Sequence, residues 1–437
     1  MWVLRDSLLA AVLCLICGAA NAQPAEGDQN LDRLIDNILN NAPKPAAAPT
    51  APKEAVVLSA RIGEHPDRTR FVIELSDPVE LRTFTLNNPN RVVIDMPAVR
   101  WHLEGPPLPS GSGAIKGYRY GLFRPGNARF VIDLSRPVSL SDLLVLPPEN
   151  GYGYRVVLDL FPTTQAAFDR TAGWPADLRA KERAAEMASL PAKPPAPRSP
   201  IKRVIVIDPG HGGVDSGTIG TDGTLEKDIV LAVALKLRNV LERRGYTVYM
   251  TRDSDEYIDL TQRVRIGRSY HADLFISIHA DSIHDPDVSG LSIYTLSERG
   301  SDKEAADLAR RENKSDEIAG VDISGENAAV APILIDLAQR DTMNKSSHFA
   351  EQALADLKDA TDILPRQPHR SAAFVVLKAP DVPSVLIELG YLSNPGDASQ
   401  MQREAWRAKV ANAIAAAVDR QFMTAAEAAP PTARSSQ

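Results

Sequence analysis

Cysteine, aromatic residues and excess positive charge are all scarce in this sequence of 437 residues. Its two cysteines, Cys14 and Cys17, lie close to the N-terminus, so disulfide bonds are not expected to stabilise the rest of the chain. Aromatic residues make up 5% of the chain and the formal net charge is −7, which argues against a nucleic-acid partner. No apolar run is long enough for a stable membrane-spanning helix. The remaining composition is ordinary globular material, sufficient for two or three domains.

Residues 1–22 have the pattern of a cleavable secretory signal. An apolar stretch at residues 8–18 follows an arginine, and the Ala-Asn-Ala sequence at residues 20–22 has the small-x-small form of a signal-peptidase site. We therefore expect export, most simply to the periplasm, and a mature chain without cysteine. Lipidation of Cys17 is the alternative, although the preceding residues fit a lipoprotein site poorly. Residues 23–54 are predicted to form a short helix and a Pro/Ala-rich linker.

Residues 55–162 contain an internal repeat. Residues 70–79 (RFVIELSDPV) match residues 129–138 (RFVIDLSRPV), and residues 91–97 (RVVIDMP) match residues 155–162 (RVVLDLFP). The alternation of apolar and polar residues is typical of antiparallel strands. Two copies packed face to face predict a small all-β sandwich. It carries no cluster of histidine or cysteine, so it is interpreted as a binding or localising module, with a purely structural spacer as the alternative.

The second half of the chain changes pattern. Residues 163–200 are predicted to be a linker, with a short helix at 175–190 and a proline-rich end. Residues 201–424 alternate strand and helix patterns, which predicts an α/β domain with a mixed sheet flanked by helices. Residues 425–437 are expected to be disordered. The predicted fold is thus an α/β domain preceded by a small all-β sandwich.

Three apolar strand patterns of the α/β domain end in side chains that bind metals or transfer protons. These side chains are His211, His279 and Glu388, and Glu226 begins a predicted helix. Open α/β sheets bind ligands at the carboxyl ends of their strands. Two imidazoles and two carboxylates match a mononuclear zinc hydrolase with a carboxylate base. The residues are far apart in sequence, however, so spacing alone leaves a structural role for each histidine open.

Four motifs then suggest a family. The sequences IDPGHGG (residues 207–213), TLEK (224–227), SIHAD (277–281) and IELGY (387–391) occur in this order. They resemble the motifs of zinc-dependent N-acetylmuramoyl-L-alanine amidases, and the resemblance covers residues 203–420. The repeat region is similar to the AMIN domain, the β-sandwich targeting module that precedes the enzyme in Gram-negative periplasmic members.

The resemblance implies a role for each motif residue. His211, Glu226 and His279 would bind one Zn²⁺ per chain, with water in the open position, and Glu388 would be the general base. Three neighbouring polar residues would orient the imidazoles: Asp208, Ser277 and Asp281. Four histidines outside the motifs are interpreted as non-ligands: His271, His284, His348 and His369.

The resemblance also implies a substrate and partners. The reaction would be hydrolysis of the amide between N-acetylmuramic acid and L-alanine in peptidoglycan, for splitting of the septal cell wall. Peptidoglycan and a LytM-type activator protein are the expected partners, and the periplasm, with concentration at the septum, is the expected location. Two other functions remain open: a catalytically silent wall-binding scaffold, and a zinc peptidase or deacetylase acting on the cell wall.

An insert at about residues 300–345 separates the second and third strand-end motifs. In cell-division amidases a regulatory helix lies here, and its glutamate occupies the open zinc position until the activator displaces it. Glu312 is the first candidate for this residue and Glu304 the second, with a merely solvated helix face as the alternative. An apolar stretch predicts an activator-docking patch, with core packing as the alternative; its residues are Ile333, Leu334, Ile335 and Leu337.

Overall fold

The computed structural model of this protein describes residues 54–103, 111–180, 202–321 and 335–427, without the side chains of 335–339 and 424–427. Several expectations fall outside these residues: the signal segment, the N-terminal helix and linker, and most of the proline-rich linker. The proposed docking patch is outside as well, since only the backbone of Ile335 and Leu337 is described. No helix among the described residues is both long enough and apolar enough to cross a membrane.

The repeat region forms two packed sheets, which are antiparallel except for the short parallel pairing of β1 with β5. One has the strand order β5-β1-β2-β10-β8 with β9 beside β10, and the other has the order β3-β4-β7-β6. The strands are β1 (Val56–Glu64), β2 (Thr69–Leu75), β3 (Arg82–Leu86), β4 (Arg91–Pro97), β5 (Arg100–Trp101), β6 (Ile115–Arg124), β7 (Asn127–Leu134), β8 (Val138–Leu140), β9 (Leu144–Leu146) and β10 (Tyr154–Pro162). The predicted sandwich is confirmed. Each sheet, however, contains strands from both copies of the repeat. Strand β2 of the first copy pairs with β10 of the second, and β4 of the first copy pairs with β7 of the second.

The core of the sandwich follows from strand alternation. Every second residue of the central strands points inward, and Phe71 and Phe130, at matching positions of the repeat, meet with ring centroids 5.7 Å apart. The ordered unit continues past Pro162. Helix α1 (Gln165–Thr171) is capped by Thr164 and buries Phe168 in this core. The linker predicted from residue 163 therefore begins with a short helix of the sandwich, which its polar sequence did not indicate.

The α/β domain contains a mixed six-stranded sheet of order β12-β11-β13-β16-β14-β15. Its strands are β11 (Val204–Pro209), β12 (Thr247–Met250), β13 (Leu274–His279), β14 (Ser292–Leu296), β15 (His369–Ala372) and β16 (Ser384–Glu388). Its helices are α2 (Glu226–Arg243), α3 (Leu260–Ser269), α4 (Lys303–Glu312), α5 (Ser315–Ile318), α6 (Ile335–Leu357), α7 (Pro395–Gln402) and α8 (Glu404–Glu427). A 3₁₀ turn covers Val375–Leu377. The predicted fold class is confirmed.

Helices cover both faces of this sheet. Helices α2, α6 and α8 share one apolar cluster with strands β11, β13 and β16, to which α2 contributes the buried stripe Ile229, Val233 and Leu237. Helices α3 and α4 and the 3₁₀ turn pack on the other face. Helix α8 ends at Glu427, three residues into the predicted disordered tail. The strands are thereby fixed on both sides, and the carboxyl ends of the parallel strands β11, β12, β13 and β16 share one edge.

The sandwich and the α/β domain lie within one compact unit, Glu54–Gln437. Phe123 of β6 stacks on Tyr257 with ring centroids 5.8 Å apart. Gly213, of the first motif, has φ +56°, and a Cβ there would lie 1.8 Å from the carbonyl oxygen of Leu122. A side chain at this position would therefore separate the two domains. The apolar contact is completed by Phe84, Leu86, Val93, Val131, Trp174, Val214 and Ala319.

Candidate metal centre

His211 lies in the loop that follows β11 and is held on two sides. Its backbone has φ +58°, an uncommon conformation for a residue other than glycine. Arg263 donates to its carbonyl oxygen at 2.7 Å, and Asp215 Oδ2 lies 2.9 Å from its Nδ1. Asp215 therefore fixes the ring and leaves Nε2 for another partner. Asp215 was not predicted, because it lies in an irregular loop where its spacing from His211 gives no signal.

Glu226 and His279 complete a cluster of three. Glu226 is the first residue of α2, and its two carboxylate oxygens accept the backbone N–H groups of Thr218 and Ala280, each at 2.9 Å. His279 is the last residue of β13. Its ring lies against Gly210, where a Cβ would come within 2.4 Å of it. The glycine of the first motif is thus required for the second histidine to fit.

The ligand atoms of these residues converge. Glu226 Oε1 lies 3.1 Å from His211 Nε2 and 3.2 Å from His279 Nδ1. Despite these short distances, neither ring nitrogen makes a hydrogen bond among the described residues, because the directions of the groups do not suit a hydrogen bond. Tetrahedral ligands at about 2.1 Å from a zinc ion are separated by about 3.4 Å. The atoms are thus arranged to face a common centre rather than each other.

Glu312 places a fourth ligand atom at the same point. Its Oε2 lies 3.3 Å from His211 Nε2 and 3.1 Å from His279 Nδ1. Glu312 is the last residue of α4 and is only 7% exposed, whereas Glu304 in the first turn of α4 is exposed. The cavity beside the centre has a volume of about 10 Å³, room for one water molecule at most. In this conformation the site is closed.

Glu388 lies next to the cluster at the end of β16. It is opposite His279 in the parallel pairing of β13 and β16. Its Oε2 accepts the backbone N–H of Asp281 at 3.1 Å, and its Oε1 has no partner among the described residues. Burial and the nearby carboxylates of Glu226, Asp281 and Glu312 raise the pKa of Glu388 well above its usual value, against an opposing effect of His279. A carboxylate with a raised pKa is suited to accept and return a proton.

The electrostatics of the site favour a bound cation. Burial would lower the pKa of His279, but Glu312 and Glu226 outweigh it and raise the value to about 10. The surroundings thus stabilise positive charge between the rings. Buried carboxylates cost several kcal/mol each unless they are compensated, and five of them surround the two imidazoles: Asp215, Glu226, Asp281, Glu312 and Glu388. A divalent cation between the rings would offset this excess of negative charge, so the donor set fits zinc.

The residues expected to orient the imidazoles lie one step further out. Asp208 accepts hydrogen bonds from Ser277 at 2.7 Å and from Arg263 at 2.9 Å. Asp208 and Ser277 thus bind each other and, among the described residues, do not hydrogen-bond an imidazole ring. Asp281 Oδ2 accepts a hydrogen bond from Arg311 Nη2 of α4 at 2.7 Å. Within the described parts of the chain, His211, Glu226 and His279 form the one cluster whose geometry suits a metal ion. The other four histidines considered above are not part of it.

Comparisons with known proteins agree with this architecture. The family model for N-acetylmuramoyl-L-alanine amidase matches residues 205–420, and the AMIN domain model matches residues 59–150. The chain is 33% identical to N-acetylmuramoyl-L-alanine amidase AmiC of Neisseria meningitidis serogroup B, over 91% of this chain and 97% of that protein. It is 35% identical to AmiC of Escherichia coli O6:H1, over 84% of this chain and 89% of that protein.

A solved structure, AmiC2 of Nostoc punctiforme, is 26% identical and covers 51% of this chain and 97% of its own, with a TM-score of 0.37. The match to the Neisseria protein extends over nearly its whole length and identifies the family. This chain belongs to the N-acetylmuramoyl-L-alanine amidase family. It is an amidase with a preceding AMIN domain, and the resemblance seen in its sequence motifs is confirmed.

Proposed function

We propose that this amidase is a zinc enzyme that hydrolyses the amide between N-acetylmuramic acid and L-alanine in peptidoglycan, and that Glu312 inhibits it until an activator acts. One observation carries the proposal: ligand atoms of His211, Glu226, His279 and Glu312 converge on one point beside Glu388. The first three residues would hold the ion. A zinc ion there would polarise the amide carbonyl and lower the pKa of water.

Glu388 is the proposed general base. Its Oε1 is buried beside the cluster without a hydrogen-bond partner among the described residues, and its raised pKa favours the uptake of a proton. It would take the proton of the attacking water and deliver it to the amine of L-alanine as the amide breaks. The backbone N–H of Asp281 holds the other oxygen, so the carboxylate keeps a fixed orientation.

Glu312 is the proposed inhibitory residue. Its carboxylate fills the side of the cluster that a substrate carbonyl or water would need, and the remaining cavity is too small for an amide. The neighbouring Arg311 binds Asp281, which ties the end of α4 to the loop after β13. Opening the site therefore requires the end of α4 to move.

The sequence supports a place for this activity. The signal segment predicts export, and the related AmiC proteins are amidases by name. We place the enzyme in the periplasm, concentrated at the septum, with peptidoglycan as substrate. A LytM-type protein that withdraws α4 is the proposed activator. The residues expected to receive it, Ile333 to Leu337, lie outside the described side chains.

The test compares the mature chain with Glu312→Ala, each loaded with zinc, on purified peptidoglycan sacculi, with products identified by mass spectrometry. We expect the variant to release stem peptides with a free L-alanine amine about tenfold faster or more, because the closed state loses its ligand. Glu304→Ala, an exposed change on the same helix, is the matched control and should behave as the unchanged protein.

The products also separate the other functions. Cleavage within the stem peptide, or loss of acetyl groups from the sugar, would replace the amidase assignment with a peptidase or a deacetylase. No product from zinc-loaded, folded Glu312→Ala would favour a silent scaffold. Equal rates for all three proteins would retain the amidase and remove the inhibitory role of Glu312.

A further inference from the structure

We propose that the AMIN domain holds the inhibitory segment closed through an arginine face on the outer side of its four-stranded sheet. The arginine face consists of Arg91, Arg119 and Arg129, which lie on the adjacent strands β4, β6 and β7. The proposal rests on the inhibitory role proposed for Glu312 and adds to it the part of the molecule that keeps this residue in place.

The arginine face binds the carboxyl end of helix α5. The last carbonyl groups of a helix have no partner within it and attract cationic donors. Here four consecutive carbonyl oxygens, at residues 317–320, receive side-chain donors from the AMIN domain and the segment after it. The hydrogen bonds run from Arg91 to Glu317, from Arg119 to Ile318 (3.2 Å), from Arg129 to Ala319 (3.1 Å) and Gly320 (3.1 Å), and from Trp174 to Gly320 (3.1 Å).

The arginine face is itself rigid. Arg129 is 1% exposed, makes two hydrogen bonds to Asp95 at 2.6 and 2.9 Å, and lies over the ring of Phe123 at 3.5 Å. Arg119 pairs with Asp133 on the neighbouring strand. Because the guanidinium groups are already fixed by their own sheet, they lose little freedom when they bind the helix end.

Helix α5 is joined directly to the catalytic centre. It begins three residues after Glu312, and its first residue, Ser315, donates to Asp215, the partner of His211. Its second residue, Asp316, accepts the hydroxyl of Tyr257 and the N–H of Leu260 at 2.9 Å. Residues 312–320 thus form one short stretch, with Glu312 in the metal centre at one end and the arginine face at the other. If Glu312 moves away from the metal centre by more than the length of its side chain, this stretch has to move with it.

The internal repeat supplies a second copy of the arginine face, and no segment is hydrogen-bonded to it in the same way among the described residues. Arg61, Arg70 and Arg155 occupy the matching positions on adjacent strands β1, β2 and β10 of the other sheet. They keep the same pairings, Arg61 with Glu74 and Arg70 with Asp159, but their side chains are 51%, 34% and 24% exposed. The matching face provides a control in the same fold, with equivalent residues that make no hydrogen bond or ion pair to α5 in the described part of the chain.

The experiment uses the full mature chain, loaded with zinc, as two double variants. Arg91→Gln with Arg119→Gln weakens the arginine face, and Arg155→Gln with Arg61→Gln makes the same changes on the matching face. Hydrogen exchange of the backbone amides of residues 303–321 is measured by mass spectrometry, together with basal release of stem peptides from sacculi. Loss of two charge-assisted hydrogen bonds should increase both exchange and basal release by about tenfold or more in the first pair. The second pair should match the unchanged protein in both readouts.

Three results would overturn the proposal. Unchanged exchange in the first pair would show that the arginine face does not hold α5. Equal increases in both pairs would show general loosening of the AMIN domain. Faster exchange without faster release, in a protein that Glu312→Ala does activate, would show that α5 is held but is not coupled to Glu312. If Glu312→Ala itself has no effect, the inhibitory role fails, and the exchange data still decide whether the face holds the segment.

A milder variant protects the test against misfolding. Trp174→Phe keeps an aromatic ring beside Phe84 but removes one of the two side-chain donors to Gly320, the other being Arg129. We expect a change in exchange in the same direction and smaller, with thermal stability close to that of the unchanged protein. No change in exchange at residues 316–321 would contradict the proposed hold.

Discussion

Two parts of the site are built in different ways. His279 is the last residue of β13, Glu226 is the first residue of α2, and His211 lies in the loop just after β11. These three elements pack in the apolar core of the domain. Glu312 stands at the end of α4, followed by the four-residue helix α5. The first group is fixed by the core of its own domain. Helix α4 also packs on the sheet through Ala305, Leu308 and Ala309, but the segment that follows Glu312 is held by side-chain hydrogen bonds to Asp215 and to the arginine face.

This difference has a physical consequence. Residues on elements that pack in a domain core stay in place unless a large part of the domain opens. A short segment that is tied to another domain by hydrogen bonds opens at a lower free energy, so a competing partner can displace it. The proposed function thus gives the protein three permanent ligand positions, His211, Glu226 and His279, and one that can be exchanged, Glu312.

The largest effect is expected from His279→Ala. This change removes one of the three permanent ligand atoms, so zinc affinity should fall by more than about a hundredfold, beyond what loss of an orienting neighbour costs. Isothermal titration of the metal-free protein with zinc measures it. Retention of one tightly bound zinc would mean that His279 is not a ligand. The proposed set of three permanent ligands would then be wrong.

Glu388→Gln should abolish turnover while the metal stays bound. The amide side chain has the same size but cannot take a proton, and the loss of a general base costs about 10²–10⁴ in rate. The variant is compared with the unchanged residue in a Glu312→Ala background, so that inhibition does not hide the effect. Loss of zinc from Glu388→Gln would instead assign this residue to the permanent ligands.

Asp215→Asn should have the smallest effect of the three. The charge of His211 and its hydrogen bond lower the pKa of Asp215 to about 2, although burial favours the neutral acid. The neutral amide would hold the ring less firmly, so zinc affinity should fall by about 10- to 100-fold. Asp381→Asn, an exposed carboxylate that pairs with Arg268, is the matched control. Equal affinity in both variants would show that Asp215 serves α5, through Ser315, rather than His211.

The permanent part of the site could be predicted from the sequence for a clear reason. Apolar strand patterns that end in His211, His279 and Glu388 place these residues at one edge of a sheet, because parallel strands share that edge. The helix start at Glu226 completes the group. Asp215 was missed since its contact with His211 arises inside an irregular loop, where periodicity gives no information.

The exchangeable part could be predicted less fully. The charged pattern of residues 300–316 indicated a helix, with Glu312 as the first candidate for the inhibitory residue and Glu304 as the second. The pattern could not exclude Glu304, because the choice depends on which turn reaches the sheet edge. The repeat was recognised from the sequence, but the pairing of strands between its two copies was not. Pairing within a copy and pairing between copies produce the same alternation of apolar and polar residues. The arginine face was also missed. Its arginines occur in both copies, and only the docking of the domains distinguishes them.

The most direct test of the account is a crystal structure of the zinc-loaded mature chain with anomalous data collected at the zinc edge. The account predicts one zinc ion per chain with four protein ligands: His211 Nε2, His279 Nδ1 and one carboxylate oxygen each from Glu226 and Glu312. A zinc ion on the first three residues with Glu312 turned away and α5 separated from the arginine face would contradict it.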